Sequence, residues 1–151
     1  NTLPSEQKES INAIYGVDEK LLERIHQSNV IILTDSAVTG GVITEQEQIE
    51  IYKPYVEANN GNVVIKKHPV DCTNYTKYFP NATICEGFIP MQLLSMNKCS
   101  FKFAITLFST SVSLLDKNTE IIWLGNAGNE KLRKYYGECP NPFVSKKCNS
   151  N

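Results

Sequence analysis

The sequence lacks most of the features that mark specialised proteins. No apolar run approaches the roughly 20 residues that a membrane-spanning helix needs. The polar stretch Asn1 to Glu9 carries no signal-peptide pattern. It also lacks an initiator Met, so a fragment or a processed form is expected. Neither sign of charge dominates: the formal net charge is −1. A general attraction to nucleic acid or anionic lipid is therefore excluded, and any anionic ligand must be held by local groups. The five cysteines, Cys72, Cys85, Cys99, Cys139 and Cys148, form no CxxC and no His-paired pattern. Metal and redox chemistry are thus not expected, and reduced thiols in a cytoplasmic protein are. Neither the GxGxxG dinucleotide fingerprint nor the Walker pattern is present.

What is present is ordinary globular composition in 151 residues, 41% of them apolar. That length suits a single compact domain, 1–151, with a buried core. Two Asn-x-Thr triplets, at Asn74 and Asn81, are frequent by chance and carry little weight.

The hydrophobic rhythm alternates between short β-branched runs and helical spacing. Strands are predicted at Val30–Leu33, Val63–Ile65, Ala82–Cys85, Phe103–Phe108 and Glu120–Leu124. Helical spacing covers Ser10 to Gln27, interrupted at Gly16-Val17-Asp18. Thr44 and Glu47 have capping-box spacing and open a helix that stops near Asn59-Asn60-Gly61, with Pro54 expected to bend or shorten it. Further helices are predicted at Pro90 to Met96, Ser111 to Leu115 and Asn129 to Tyr136, while Asp71 to Pro80 reads as turn-rich. Strands separated by helices imply an α/β fold, a three-layer α/β/α domain with a mainly parallel sheet. Ligands of such sheets bind beyond the C-terminal strand ends. Three strands end there in polar residues: Thr34-Asp35, Lys67-His68-Pro69 and Ser109-Thr110-Ser111.

Each of these groups has two readings. His68, set by the rigid Pro69, either caps a turn or donates an imidazole hydrogen bond to a phosphate, where it could also act as general acid. Ser109, Thr110 and Ser111 either N-cap a helix or form an anion site from hydroxyls and free backbone N–H groups. Thr39-Gly40-Gly41 is a tight loop whose glycines would also let a ligand approach the backbone. Asp35, Asp71 and Glu86 are turn carboxylates or general bases. His26 and the cations Lys131, Arg133 and Lys134 are expected to face water, and Tyr75, Tyr78 and Phe79 to pack in the core.

Read in order, the pieces resemble a known family. They are Gly41-Val42-Ile43-Thr44-Glu45, Ile51-Tyr52-Lys53, Val64-Ile65-Lys66-Lys67-His68-Pro69-Val70-Asp71, Tyr75 with Lys77-Tyr78-Phe79-Pro80, Ile89-Pro90-Met91-Gln92-Leu93-Leu94, and Ile105-Thr106-Leu107-Phe108-Ser109-Thr110-Ser111. From about Asn29 to Phe143 the chain resembles the C-terminal domain of glycosyltransferase family 52, the lipooligosaccharide sialyltransferase-like proteins. It is similar, more distantly, to bacterial polysialyltransferases.

The resemblance implies the Rossmann-like C-terminal half of a GT-B fold, completed by an N-terminal acceptor domain. It implies an inverting, metal-independent transfer from a CMP-activated sugar, typically CMP-sialic acid, to a saccharide acceptor. The donor is a substrate, and no cofactor is implied. The setting implied is cytoplasmic, peripheral to the inner face of the bacterial membrane, in lipooligosaccharide or capsule synthesis. By the same resemblance His68 would be catalytic, contacting the CMP phosphate and assisting its departure. Lys67, Pro69, Gly40, Gly41, Gln92, Ser109, Thr110 and Ser111 would contact substrate. Where the family has Lys-Pro-His-Pro-Arg, this chain has Lys67 before the His and Val70 after the Pro, and Gln92 stands where Glu is common. The family's acidic pair before a Gly is replaced by Thr39-Gly40-Gly41, which leaves Asp35 as the candidate general base. The alternative is a non-catalytic nucleotide- or sugar-binding module that kept the fold without the base.

Overall fold

The computed structural model describes residues 3–143. Two helices, α1 (Ser5–Ile14) and α2 (Glu19–His26), lead into β1 (Val30–Leu33). Then come α3 (Glu45–Ala58), β2 (Val64–Lys66), α4 (Tyr75–Tyr78), β3 (Thr83–Cys85) and α5 (Met91–Met96). The chain continues through β4 (Phe103–Thr106), a 3₁₀ turn at Thr110–Leu114, β5 (Glu120–Trp123) and α6 (Glu130–Tyr136). The five strands form one all-parallel sheet in the order β3-β2-β1-β4-β5.

The uninterrupted apolar run of β1 is explained by burial on both faces. Val30 and Ile32 pack into one core with Tyr52, Ile65, Tyr75 and Leu132, under α3, α4 and α6. Ile31 and Leu33 point the other way, into a second core with Ile25, Val64, Leu94 and Ala104, under α2 and α5. The architecture is therefore a Rossmann-like α/β/α sandwich. Its strand order reverses direction at β1: the chain first moves outward through β2 and β3, then returns to pair β4 on the other side. That switch point leaves a crevice at the C-terminal ends of β1 and β4.

Local chemistry sets the element ends. The Thr44 hydroxyl accepts from the Glu47 N–H at 3.1 Å while the Glu47 carboxylate accepts from the Thr44 N–H at 2.7 Å, a complete capping box. Those contacts, with Lys131 2.9 Å away, hold the Glu47 carboxyl down at about 2.

Several expectations change. Pro54 does not shorten α3, which runs unbroken from Glu45 to Ala58. Pro54 and Glu50, whose carbonyl loses its partner, are both exposed, on the side of the helix where such a loss costs least. The segment read as turns contains α4, held by the burial of Tyr75 and Phe79. The segment read as a helix at 111–115 is a 3₁₀ turn. Among the described residues the four cysteines are unpaired, and Cys148 lies outside them. His26 is exposed, as are Lys131, Arg133 and Lys134. No described helix is long and apolar enough to cross a membrane.

Candidate functional site

The C-terminal strand ends meet in a cleft of about 240 Å³ at the switch point. Its walls come from the end of β1 and the residue after it (Leu33, Thr34), the end of β2 and the turn after it (Lys66 to Pro69), the loop and helix after β3 (Gly87, Ile89 to Gln92) and the segment after β4 (Ser109, Ser111, Leu114). Six of the sequence-predicted site residues are thus brought together: Lys67, His68, Pro69, Gln92, Ser109 and Ser111. A larger groove of about 460 Å³, between α3 and the Tyr78–Asn81 segment, takes none of them.

The imidazole of His68 is oriented by its own turn. Its Nδ1 accepts the Val70 N–H at 3.3 Å. The neutral ring therefore carries its proton on Nε2, and that nitrogen has no partner among the described residues. The backbone is held at both ends, with the His68 N–H donating to the Thr34 hydroxyl at 2.9 Å and the His68 carbonyl accepting from the Asp71 N–H at 2.9 Å.

Two lysines supply positive charge. Lys66 is 6% exposed, and its ammonium donates to the carbonyls of Lys67 (2.8 Å) and Glu86 (3.1 Å). Burial lowers its pKa, and no carboxylate among the described residues pairs with it directly. Lys67 is partly neutralised by Glu86 at 3.5 Å. The hydroxyls are also available. Ser109 occupies the N-cap position of the 3₁₀ turn, yet its side chain makes no capping hydrogen bond. Its N–H is held instead by the Thr106 hydroxyl at 3.0 Å.

The other predicted residues stand apart. Thr110 is exposed and does not line the cleft. Gly40 and Gly41 lie on an exposed loop, where the φ of +71° at Gly41 suits a residue without Cβ. That loop touches the His68 turn through the Thr39 hydroxyl, which donates to the Val70 carbonyl at 2.7 Å. Asp35 is 4% exposed and does not line the cleft. Its oxygens accept from the Ala37 N–H (2.6 Å) and the Tyr52 hydroxyl (3.3 Å), and burial raises its pKa. No Asp or Glu lines the cleft among the described residues.

Gly87 is the residue that sequence reasoning missed. A Cβ there would stand 2.6 Å from the His68 carbonyl oxygen and 2.8 Å from the Pro69 Cα. Only glycine lets the His-Pro backbone lie this close to the loop after β3. In the sequence Glu86-Gly87-Phe88 reads as an ordinary turn, and the partner lies about twenty positions away, so no local signal marks it.

A parallel α/β sandwich with a cation- and hydroxyl-lined crevice at its switch point defines the class of Rossmann-like ligand-binding domains. The chain belongs to glycosyltransferase family 52, whose family model matches residues 3–124. The match begins well before Asn29 and ends before Phe143, so α1 and α2 are part of the family's unit. An uncharacterised protein of Haemophilus influenzae (strain ATCC 51907 / DSM 11121 / KW20 / Rd) is 29% identical over 133 residues. That alignment covers 87% of this chain and 43% of the relative, so the chain spans less than half of that protein's length. No solved structure matches.

Proposed function

We propose that this chain is the donor-binding part of a sialyltransferase-like enzyme, taking a CMP-activated sugar and passing it to a saccharide acceptor held by an N-terminal domain. The observation that carries the reading is the convergence, in one cleft, of the buried Lys66 ammonium with the His68 Nε2 and the Ser109 and Ser111 hydroxyls, which have no partner among the described residues. These are the donors that a nucleotide phosphate requires.

In the reaction the bond between the sugar's anomeric carbon and the phosphate oxygen breaks, and its electron pair stays on CMP. The acceptor oxygen forms the new bond from the opposite face, inverting the centre, and its proton passes to a base. Lys66, Ser109 and Ser111 bind the phosphate before and during transfer. The His68 N–H strengthens its contact as the departing phosphate gains charge, which lowers the barrier rather than the binding energy. None of these steps uses a metal. Asp35 is enclosed by Ala37 and Tyr52, so its role in this reading is to brace the Gly40-Gly41 loop, and the base comes from the acceptor side. The enzyme works in the cytoplasm, beside the inner membrane face where lipooligosaccharide or capsule precursors lie.

Calorimetric titration with CMP, UDP, GDP and ADP tests the donor. CMP should bind best, and equal or absent binding of all four by a folded sample would remove the reading. In the full-length enzyme His68→Ala should lower kcat by roughly 10²-fold with little change in donor affinity. Ser109→Ala should mainly weaken donor binding, because a hydroxyl on phosphate acts in ground and transition states alike. One observation favours a second reading, a binding module without catalysis: no carboxylate lines the cleft among the described residues. Normal CMP binding with no transfer from any CMP-sugar by the full-length protein would select it.

A further inference from the structure

Behind the cleft lies a buried polar chain that the reaction itself does not use. Thr34 (2% exposed), Asp71 (5%) and Tyr75 (1%) meet between β1, the His68 turn and α4. The Thr34 hydroxyl accepts the His68 N–H, so its own proton is free to go to Asp71 Oδ2, 2.6 Å away. The Tyr75 hydroxyl donates to the same oxygen at 2.7 Å and in turn accepts from the Gln48 amide. Asp71 Oδ1 accepts the Thr73 N–H at 3.0 Å, and the Asp71 N–H donates to the His68 carbonyl at 2.9 Å.

The direction of every bond in this chain is forced. A hydroxyl that accepts from a backbone N–H has one proton left, and only an acceptor can face it. Two hydroxyl donors converge on Oδ2 while the Thr73 N–H donates to Oδ1, so both oxygens must accept; an amide, with one oxygen and one donating nitrogen, can serve only one of these two sides. The Asp71 carboxylate therefore holds His68 at its N–H through Thr34, while the Asp71 backbone N–H, common to any residue but proline, holds the His68 carbonyl. The turn so fixed presents the Val70 N–H to Nδ1, which places the ring proton on Nε2.

We infer that Asp71 is a positioning residue for His68: acting through Thr34, it sets both the placement of the turn and the tautomer that offers an Nε2 proton to the donor phosphate. The inference rests on the reading of His68 given above, and it adds to that site Asp71, which does not line the cleft and acts through Thr34. A purely structural Asp71 would lower stability without altering the imidazole.

The sequence has only two histidines, so imidazole ¹⁵N spectra of the whole chain are simple to assign with a His26→Gln variant. The neutral wild-type His68 ring should show one protonated nitrogen, Nε2, and one unprotonated nitrogen, Nδ1. Asp71→Asn should draw the two shifts together as the tautomers exchange. Thr34→Val should do the same, while Thr34→Ser, which keeps the hydroxyl, should retain the wild-type pattern. In the full-length enzyme Asp71→Asn should lower kcat about tenfold at nearly constant donor KM, the size expected for a sub-ångström loss of placement. If Asp71→Asn does not fold, Thr34→Val, close in size to threonine, bears the same expectations. A folded Asp71→Asn chain with the wild-type ¹⁵N pattern would overturn the inference. A His68→Ala enzyme with normal turnover would instead overturn the donor-site reading, and with it the catalytic consequence, whatever the spectra show.

Discussion

Gly87→Ala is the sharpest perturbation of this site, because its effect is purely steric. The Gly87 backbone does not lie in the left-handed region, so alanine meets no conformational penalty there. The added Cβ would sit 2.6 Å from the His68 oxygen, 2.8 Å from the Pro69 Cα and 3.0 Å from the His68 carbonyl carbon. Non-bonded carbons rest at about 3.5–4.0 Å, so the two segments must part by roughly 1 Å. All three obstructing atoms are backbone, and the His68 backbone is already fixed by Thr34 and Asp71. Overpacking of this kind costs about 1–3 kcal/mol. At this chain length that corresponds to a Tm lower by roughly 2–12 °C. A displacement near 1 Å at a reacting group can cost about 10²-fold in rate, so turnover should fall more than stability predicts. The assay pairs thermal unfolding with CMP titration and full-length kinetics, using Gly16→Ala as the comparison. At Gly16 nothing lies within 4 Å and φ is +66°, so alanine there lowers stability alone. A Gly87→Ala protein with Tm within about 1 °C of wild type and unchanged CMP affinity would refute the steric reasoning.

Two further outcomes follow from the buried charges. Lys66→Met should weaken CMP binding about tenfold or more, the loss of one charge-assisted hydrogen bond, while leaving cytidine binding unchanged; equal loss for both ligands would remove Lys66 from the phosphate. Burial raises the Asp35 carboxyl above its ordinary value, so between the unfolded value near 3.9 and the folded value the native state binds more protons. Its contribution to stability is then present at low pH and lost as pH rises through the folded pKa. The Tm of Asp35→Asn relative to wild type should accordingly increase from pH 4 to pH 7, and a relative decrease over that range would contradict the assignment.

The layered fold was legible in the residues because its determinants are local. The run Val30–Leu33, short and rich in β-branched residues, suits a strand buried on both faces rather than a helix segment. The Thr44 and Glu47 pair signals a helix start within a single turn. The polar strand ends marked where a ligand site would form, and His68 and Ser109 do meet there. Strand order, by contrast, is a matter of long-range pairing, and nothing in the sequence states that β1 lies between β2 and β4. The same limit hid what distinguishes the site residues from one another. Lys66 and Lys67 are adjacent and chemically alike, yet the pleat buries one against two carbonyls and turns the other toward Glu86. Asp35 and Asp71 each read as a strand-end carboxylate. Only packing shows that Asp71 serves the His68 turn, while Asp35 is enclosed behind it by Tyr52. Gly87 needed the third dimension most of all, since the atom that forbids a side chain there belongs to a backbone nineteen residues earlier in the chain.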